Sequence, residues 1–424
     1  MKNPLRKRFF RELREEIGKY LVVFILMTAT IGFVSGFLVA DGSMLTAYNN
    51  SFQKYNIEDG KFETEEKIYK NQQEDIEKKG VTLYENFYVE KALLNGTTLR
   101  IFKNRTKVDK VCLMKGKLPE KTGEIAIDRM YADNNKLSVG DSLQSGKRKW
   151  KITGLVALSD YSALFQNNND TMFDAVKFGA AVVTEEEFSS FNQSQLVYNY
   201  AWTYTHKPKT EAQEKKKSED FMEELSKDVT LEEFVPQYLN QAIHFTGDDM
   251  GGDRAMIIVL LYIVIAIMAF VFGITTSNTI RKEAGVIGTL RASGYTKNEL
   301  IRHYMFMPLL VTFIGAIVGN LLGYTVFKNV CADMYYGSYS LPTYVTLWNA
   351  EAFLGTTVVP VVLMILINFW ILYRKLKLSP LQFLRRDLSR KKKRRAVRLN
   401  PSLRFFTRLS VCFCRTRPII SLCL

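Results

Sequence analysis

Residues 256–300 carry the stretch that decides the fold, MIIVLLYIVIAIMAFVFGITTSNTIRKEAGVIGTLRASGYTKNEL. Its first part, Met256–Thr276, contains no Asp, Glu, Lys or Arg. About twenty apolar residues in a helix are enough to cross the ~30 Å hydrocarbon core of a bilayer. The polar remainder contains no Pro, so helical structure can continue beyond the membrane surface. The stretch therefore predicts a membrane-spanning helix that continues into a polar helical segment on one side.

Three other blocks share this apolar composition, namely Leu21–Ala40, Met305–Phe327 and Ala352–Tyr373, and none contains a charged residue. The first block also has features of a secretory signal. Its apolar run is longer than a typical signal sequence, and only a poor cleavage sequence, Leu38-Val39-Ala40, follows, so we interpret it as an uncleaved anchor. The sequence predicts an α-helical membrane protein with four transmembrane helices and excludes a wholly soluble protein.

Basic residues lie beside the apolar blocks. The chain has 58 Lys and Arg against 43 Asp and Glu, and residues 1–19, 281–302 and 374–424 hold the basic excess. The loop 328–351 holds one basic residue, Lys328. Since Lys and Arg concentrate in cytoplasmic loops, we expect a plasma-membrane protein with both termini in the cytoplasm and one large external segment.

These segments divide the chain into five predicted parts. They are a cytoplasmic interfacial helix at 1–19, transmembrane helix 1 at 20–40, an extracytoplasmic domain at 41–254, a membrane domain at 255–376 with transmembrane helices 2–4 and a cytoplasmic hairpin at 281–299, and a basic cytoplasmic tail at 377–424. A helix that begins at Pro4 also suits a cytoplasmic continuation of the first span, and both alternatives stay open. The basic run in the tail suits this topology, so we expect no nucleic-acid partner.

The external segment alternates strand-like and helical patterns. Helical patterns open it at Tyr48–Lys79, broken at Asp59-Gly60, and close it at Glu211–Lys227 and Leu231–Phe245. Strand-like runs between them are Val81–Leu83, Phe87–Leu94, Thr98–Phe102, Glu124–Asp128, Lys149–Leu155, Ala180–Thr184 and Tyr200–Thr205. This pattern predicts a mixed α/β extracytoplasmic domain inserted between helices 1 and 2.

Residues with catalytic or metal-binding potential form no recognised motif in this segment. The three histidines, at positions 206, 244 and 303, are far apart in sequence, and none has a metal-ligand spacing. The acidic run Glu185–Glu187 is interpreted as a solvated helix start. We therefore expect no catalytic site, no metal site and no enzyme activity. Cys112 and Cys331 both fall outside the membrane in this topology, and whether they form a disulfide stays open.

The hairpin after the second span has clear helix-end signals. Gly294 is suited to the residue just past a helix end, and Thr296 with Glu299 forms a capping box that starts the next helix. The run IGTLRASGY at 287–295, followed by ELIRHY at 299–304, resembles the FtsX/MacB-type permease domain of ABC transporters. The sequence LSPL at 378–381 is similar to the exit sequence of that family after its last span.

The external segment also resembles this family. The runs KGKLP at 115–119, GEIAI at 123–127 and LSVGD at 137–141 are similar to the MacB-like extracytoplasmic domain. One departure is that a Glu-Ile-Gly common in the family reads Val-Ile-Gly at 286–288, so that the nearest acid is Glu283.

The resemblance implies a permease that hydrolyses nothing itself. A separate cytoplasmic ABC ATPase, which would hold ATP and Mg, is expected to dock on the hairpin, and no cofactor is expected in this chain. The coupling residues implied are Glu283, Ile287, Gly288, Leu290, Arg291, Gly294, Thr296 and Glu299. A second permease half or a second copy of the chain would pair with it among the membrane lipids.

Two functions fit these expectations. The first is the permease subunit of an ABC transporter that exports or extracts a lipid, a peptide or a lipoprotein by mechanotransmission. The alternative is a non-transporting mechanotransmitter that regulates or senses an extracellular partner, such as a cell-wall hydrolase. No charged residue lies within a span to line an ion path, which agrees with either function.

Glycines recur every four residues in two spans. Gly32 and Gly36 lie in the first, and Gly315, Gly319 and Gly323 lie in the third. This spacing places small residues on one helix face and permits close helix contact. We take it as support for helix packing and for the pairing of permease halves.

The end of the chain leaves two hypotheses open. After Arg408 the character of the tail changes, because Cys412, Cys414 and Cys423 lie close together and no further apolar block follows. Larger members of the resembled family carry a second permease domain after such a basic linker. The tail is therefore either the remnant of a reading-frame disruption near Leu409, or the end of a homodimeric four-span subunit whose basic run adsorbs on anionic lipid.

Overall fold

The computed structural model describes residues 4–386, with side chains at Arg14 and from Ile17 onward. The helices are α1 (Pro4–Lys54), α2 (Lys70–Glu77), α3 (Arg129–Asn134), α4 (Glu185–Ser189), α5 (Glu211–Leu225), α6 (Gln241–Lys282), α7 (Ala284–Ala292), α8 (Lys297–Leu322), α9 (Lys328–Ser338), α10 (Ala350–Lys375) and α11 (Pro380–Leu384). The strands are β1 (Gly60–Thr64), β2 (Val81–Glu85), β3 (Tyr88–Ala92), β4 (Thr98–Lys103), β5 (Cys112–Gly116), β6 (Glu124–Asp128), β7 (Ser142–Ser145), β8 (Arg148–Ala157), β9 (Phe178–Val183), β10 (Leu196–Tyr204) and β11 (Leu231–Pro236).

Four helices of the described chain are long and apolar enough to cross a membrane: α1, α6, α8 with α9, and α10. A π-helical turn at Gly323–Phe327 joins α8 to α9 without a break in the helix. The prediction of four apolar helices is confirmed.

The first two of these helices extend well beyond their apolar blocks. α1 has 51 residues, and at 1.5 Å per residue it is about 77 Å long. It is unbroken from Pro4, which is the arrangement expected if the amino-terminal helix continues the first span. Its placement at a membrane interface stays a prediction. α6 begins at Gln241, fifteen residues before the apolar block at Met256.

The strands form one 11-stranded sheet in the order β11-β1-β10-β3-β4-β9-β6-β8-β5, with β2 beside β10 and β7 beside β8. The pairs β4–β9 and β6–β8 are parallel, and the other pairs are antiparallel. β10 joins two parts of the sheet, because its first residues pair with β3 and its last residues pair with β1 and β2. The predicted mixed α/β sheet domain is therefore present.

Aromatic packing explains why two predicted helices are partly strands. Phe62 stacks on Tyr200 with ring centroids 5.4 Å apart, and Phe234 stacks on Trp202 at 4.8 Å. These contacts hold β1 beside β10 and the edge strand β11 beside β1, within the segments Tyr48–Lys79 and Leu231–Phe245 where helices were predicted. The short strands β5 and β7 were also not predicted. Tertiary contacts outweigh local propensity at these positions.

Glu187 corrects another prediction, because its side chain is buried rather than solvated. It accepts hydrogen bonds from Trp150 Nε1 at 2.8 Å and from the Gly123 backbone N at 3.0 Å, and it pairs with Arg148. Thr184 caps the start of α4, as the acidic run suggested, but only the first two acids of that run face solvent.

Candidate functional site: the hairpin between the second and third apolar helices

The hairpin consists of α7, a short turn and the start of α8. α6 ends at Lys282, and Glu283 has φ −92° and ψ 13°, which interrupts the helix before α7 begins. The predicted continuation of the second span into the polar helical segment is therefore interrupted once, at Glu283. After α7, Gly294 has φ +102°, a conformation in which a side chain is strained, so the prediction of a glycine helix end is confirmed.

The turn is closed by bonds between neighbouring residues. The Tyr295 N donates to the Leu290 carbonyl at 3.0 Å. The Thr296 hydroxyl accepts from the Glu299 N at 3.3 Å, and the Glu299 carboxylate accepts from the Thr296 N at 2.8 Å. This is the predicted capping box, and it starts α8 directly after the turn.

One face of α7 packs against the rest of the membrane domain. Ile287 is fully buried, in a cluster that includes Leu300, Leu372 and Phe383. Gly288 lies against α11, where an added Cβ would approach Leu384 Cγ to 2.8 Å. Ile287 and Gly288 therefore fasten the hairpin to its own chain.

Two charged residues of the predicted set also bond within the chain. The Glu283 carboxylate accepts a hydrogen bond from the Tyr304 hydroxyl at 2.5 Å. Arg291 donates to the Leu376 carbonyl at 3.2 Å and to the Leu378 carbonyl. These bonds tie α7 to α8 on one side and to the end of α10 on the other.

The opposite face of the hairpin is exposed. Val286 is 42% exposed, and Thr289, Ala292 and Ser293 are exposed beside it. Leu290 is only half-buried, and it packs against the internal cluster rather than lying on the open face. Val286, which stands where the resembled family has its glutamate, lies on this exposed face but was not among the predicted coupling residues.

The helix α11 was also not predicted. Ser379 caps it by accepting from the Gln382 N, Pro380 occupies its first turn, and Phe383 is fully buried. The Ser-Pro-x-Gln spacing is a capping-box signal that was present in the sequence. The coupling roles of the hairpin residues stay predictions.

The five span glycines all lie where α1 crosses α8. An added Cβ at Gly36 would come within 2.5 Å of Phe327 Cβ, at Gly319 within 2.8 Å of Ile31 Cγ2, and at Gly323 within 2.8 Å of Ser35 Cβ. The contact at Gly32 is also tight, at 2.9 Å, and the one at Gly315 is ordinary, at 3.6 Å. The glycines therefore bring the first and third spans together within one chain, so they do not offer a face for pairing with a second permease half.

Cysteine and acidic clusters show no metal centre in the described chain. Among the side chains that the structure describes, no three His, Cys, Asp or Glu are grouped to hold a metal ion. Cys112 and Cys331 are both buried free thiols, so the structure contains no disulfide between them. The cysteines at 412, 414 and 423, together with the tail beyond Arg386, lie outside the described residues.

The hairpin lies within a stretch that matches a known protein family. Residues 258–380 match the family described as FtsX-like permease C-terminal. No curated protein sequence matches the chain. Among solved structures, the chain is similar to the periplasmic region of MacB from Actinobacillus actinomycetemcomitans, at 10% identity and a TM-score of 0.26, over 39% of this chain and 83% of that chain. It is also similar to the extracellular domain of the noncanonic ABC-type transporter YknZ from Gram-positive bacteria, at 9% identity and a TM-score of 0.23, over 41% and 98% of the two chains.

The matched residues begin inside α6 and end at the first residue of α11, so they contain the whole hairpin. The resemblance of this part of the chain to an FtsX-like permease, found in the sequence, is thereby confirmed over residues 258–380.

Proposed function

We propose that this ABC-transporter permease subunit couples ATP hydrolysis by a separate cytoplasmic ATPase to movements of its sheet domain. The observation that carries the proposal is the hairpin, which is fastened on one face and exposed on the other within the matched region. A segment that must transmit force needs a rigid attachment to its own chain and a free surface for the partner. The ATP and Mg would be held by the ATPase, and this chain would need no cofactor.

The proposed topology places the hairpin in the cytoplasm and the sheet domain outside. The part at 41–254 would be the extracytoplasmic domain, inserted between transmembrane helices 1 and 2, and both termini would be cytoplasmic. Its support is the distribution of Lys and Arg between the loops. A cysteine at the exposed Lys78 should react with an impermeant thiol reagent in intact cells, and a cysteine at Lys297 should not. Reaction at Lys297 would overturn the topology.

Continuous helices supply a route between the two sides. α6 runs without a break from Gln241 to Lys282, next to the hairpin. Near its start, the Tyr48 hydroxyl of α1 donates to the Ile243 carbonyl of α6 at 2.6 Å. The Ser162 hydroxyl, in the loop after β8, donates to Thr246 Oγ1 at 3.0 Å. A displacement of the hairpin would therefore reach the sheet domain through packed helices rather than through a flexible linker.

The segment after α9 provides a second attachment. Arg129, at the start of α3, donates to the Tyr336 and Tyr339 carbonyls at 2.7 Å each. The Ser340 hydroxyl donates to the buried Asp128 carboxylate. The sheet domain would thus be held by the third and fourth spans as well as by α1 and α6. We propose that movements of this assembly export or extract a lipid, a peptide or a lipoprotein.

Co-purification of the ATPase with variants of the full-length chain tests the proposal. Val286→Lys places, on the exposed face of α7, a charge opposite to that of the family's glutamate without entering the buried cluster, so it should reduce recovery of the ATPase at least several-fold. Val345→Lys is the matched control, because Val345 is 78% exposed in the segment between α9 and α10. Equal recovery with both variants would remove the hairpin from the ATPase interface.

A further inference from the structure

A polar cleft of about 370 Å³ opens on the sheet domain where the two long helices enter it. Its walls include Lys61 and Glu63 of β1, Glu233 of β11, Arg100 of β4, and Asn167 and Asn168 of the loop before β9. β1 begins six residues after the end of α1, and β11 ends five residues before the start of α6. The cleft therefore lies at the base of both connections to the membrane.

The walls carry an excess of negative charge. Glu63 and Glu233 are directly opposite each other in the antiparallel pairing of β1 with β11. Like charges in this position repel, so the pair is destabilising when nothing lies between the carboxylates. Burial raises the pKa of Glu63, and Glu233 adds to the rise. Glu232 lines the same cleft, and Lys61 can offset one of the three acids.

The second basic residue of the cleft is already neutralised. The Arg100 guanidinium donates to Glu90 Oε1 from Nη2 at 2.6 Å and from Nε at 3.0 Å. It also donates to the Tyr161 hydroxyl and to the Gln166 carbonyl, each at 2.8 Å. Because these bonds use most of its donors, Arg100 makes no hydrogen bond to Glu63 or Glu233. The Tyr88 hydroxyl donates to Glu63 Oε1 at 2.8 Å, but this neutral donor does not cancel the charge of the Glu63–Glu233 pair.

One wall of the cleft is bonded to α6. The Asn168 side-chain oxygen accepts from the Gln241 N at 2.9 Å, and the Asn168 carbonyl accepts from Gln241 Nε2 at 2.6 Å. Gln241 is the first residue of α6. A ligand that shifts Asn168 would therefore act directly on the end of the helix that leads to the hairpin.

We propose that this cleft recognises a ligand bearing primary ammonium groups, which bind between Glu63 and Glu233, and that its occupancy is transmitted to α6 through Asn168. Recognition of the ligand is argued from the cleft alone, whereas transmission of its binding to α6 rests on the proposed function. A polyamine and a lysine-rich peptide offer the same group, since an ammonium supplies three donors to carboxylates.

Calorimetric titration of the purified full-length chain with spermidine and with pentalysine tests recognition and distinguishes the two sources. Glu63→Gln combined with Glu233→Gln should weaken binding of the preferred probe at least about tenfold, because charge-assisted hydrogen bonds are lost. Glu185→Gln combined with Glu186→Gln is the control, since it makes the same change in net charge at exposed positions. Equal weakening in both double variants, or no binding of either probe to the unaltered chain, would overturn the proposal.

Lys61→Gln provides a test that does not remove the carboxylates. Loss of the competing ammonium should tighten binding of the same probe several-fold, and unchanged or weaker binding would overturn the assignment of Glu63 and Glu233. For transmission, the bound probe should change ATP turnover of the reconstituted complex, and Asn168→Ala should abolish that change while binding persists. Binding without any change in ATP turnover would overturn the transmission alone. The proposed function is tested separately, by recovery of the ATPase with the Val286→Lys variant.

Discussion

The hairpin and the sheet domain are held together by different kinds of contact. The hairpin is closed by bonds between residues close in sequence, such as Thr296 with Glu299, and by an apolar cluster beneath α7. The sheet domain buries charged groups that meet over long distances in the chain, such as Arg105 with Asp160. Local caps permit a small unit with one open face, whereas buried ion pairs specify a single arrangement of distant segments.

This difference agrees with the proposed function, in which a partner contacts the hairpin and the sheet domain keeps its structure while it is moved. Substitutions at buried charges should therefore lower the free energy of unfolding the most, and substitutions at the turn of the hairpin should lower it the least. Four predictions test this ranking.

Removal of one partner from a buried ion pair should have the largest effect. Arg105 donates to Asp160 from both terminal nitrogens, at 2.5 and 2.8 Å, and both side chains are 4% exposed. Arg105→Met should lower the free energy of unfolding by about 3–5 kcal/mol, because the carboxylate is left buried and unpaired. Thermal unfolding of the purified chain measures this. Lys78→Met is the control, since its pair with Asp75 is exposed and should leave the melting temperature unchanged; equal losses would contradict the comparison.

The carboxyl group of Asp128 should make the attachment of the sheet domain sensitive to pH. Burial raises its pKa from 3.8 to about 6, although Ser340 and Arg129 favour the ionised form. A carboxyl whose pKa is raised on folding holds its proton more tightly in the folded state. Stability should therefore fall as the pH rises from about 4 to about 6, by up to about 3 kcal/mol, and stay level above that range.

Asp128→Asn should flatten this dependence while keeping a side-chain oxygen for the backbone of α3. Melting temperatures measured at several pH values test it. Asp133→Asn is the control, because Asp133 is 58% exposed on the same helix. If both variants keep the full decrease in melting temperature between pH 4 and pH 6, Asp128 does not cause that decrease.

A substitution that disturbs the packing of the membrane helices should have an intermediate effect on the free energy of unfolding. At Gly36 a new side chain would meet Phe327 Cβ at 2.5 Å and the Lys328 backbone N at 2.8 Å, so α1 must separate from the junction of α8 and α9. Gly36→Leu should lower the free energy of unfolding in detergent by about 1–3 kcal/mol. Gly355→Leu adds the same side chain where nothing lies within 4 Å and should be tolerated. Similar melting temperatures for both would mean that the close crossing does not contribute to stability.

The hairpin turn should show the smallest effect. Gly294→Val strains a backbone with φ +102° and should cost about 1–2 kcal/mol locally. The measurement is hydrogen–deuterium exchange of α7, which should quicken. Gly285→Ala lies within α7 with nothing within 4 Å, and it should slow exchange instead. Faster exchange of α7 with both variants would mean that strain at Gly294 is not the cause of the faster exchange.

Much of the membrane region was predictable from sequence, but the edges of the sheet were not. The apolar blocks and the signals at Gly294 and Thr296 depend on a few neighbouring residues, so they were found. β1 and β11 were partly predicted as helices because their strand geometry depends on Trp202 and Tyr200, which lie far away in sequence. For the candidate site, the turn was predicted, whereas the helix α11 was not.

The sequence by itself determined that this chain crosses a membrane and carries a capped hairpin, because the length of an apolar run and the conformational freedom of glycine act locally. Only the tertiary structure decided what each feature contacts. It placed the span glycines against the first and third helices of one chain, buried Glu187 beneath Trp150, and set Glu63 opposite Glu233. These contacts depend on which distant segments of the chain come together. That arrangement is set by close packing and hydrogen bonding throughout the folded chain, which no local stretch of sequence specifies.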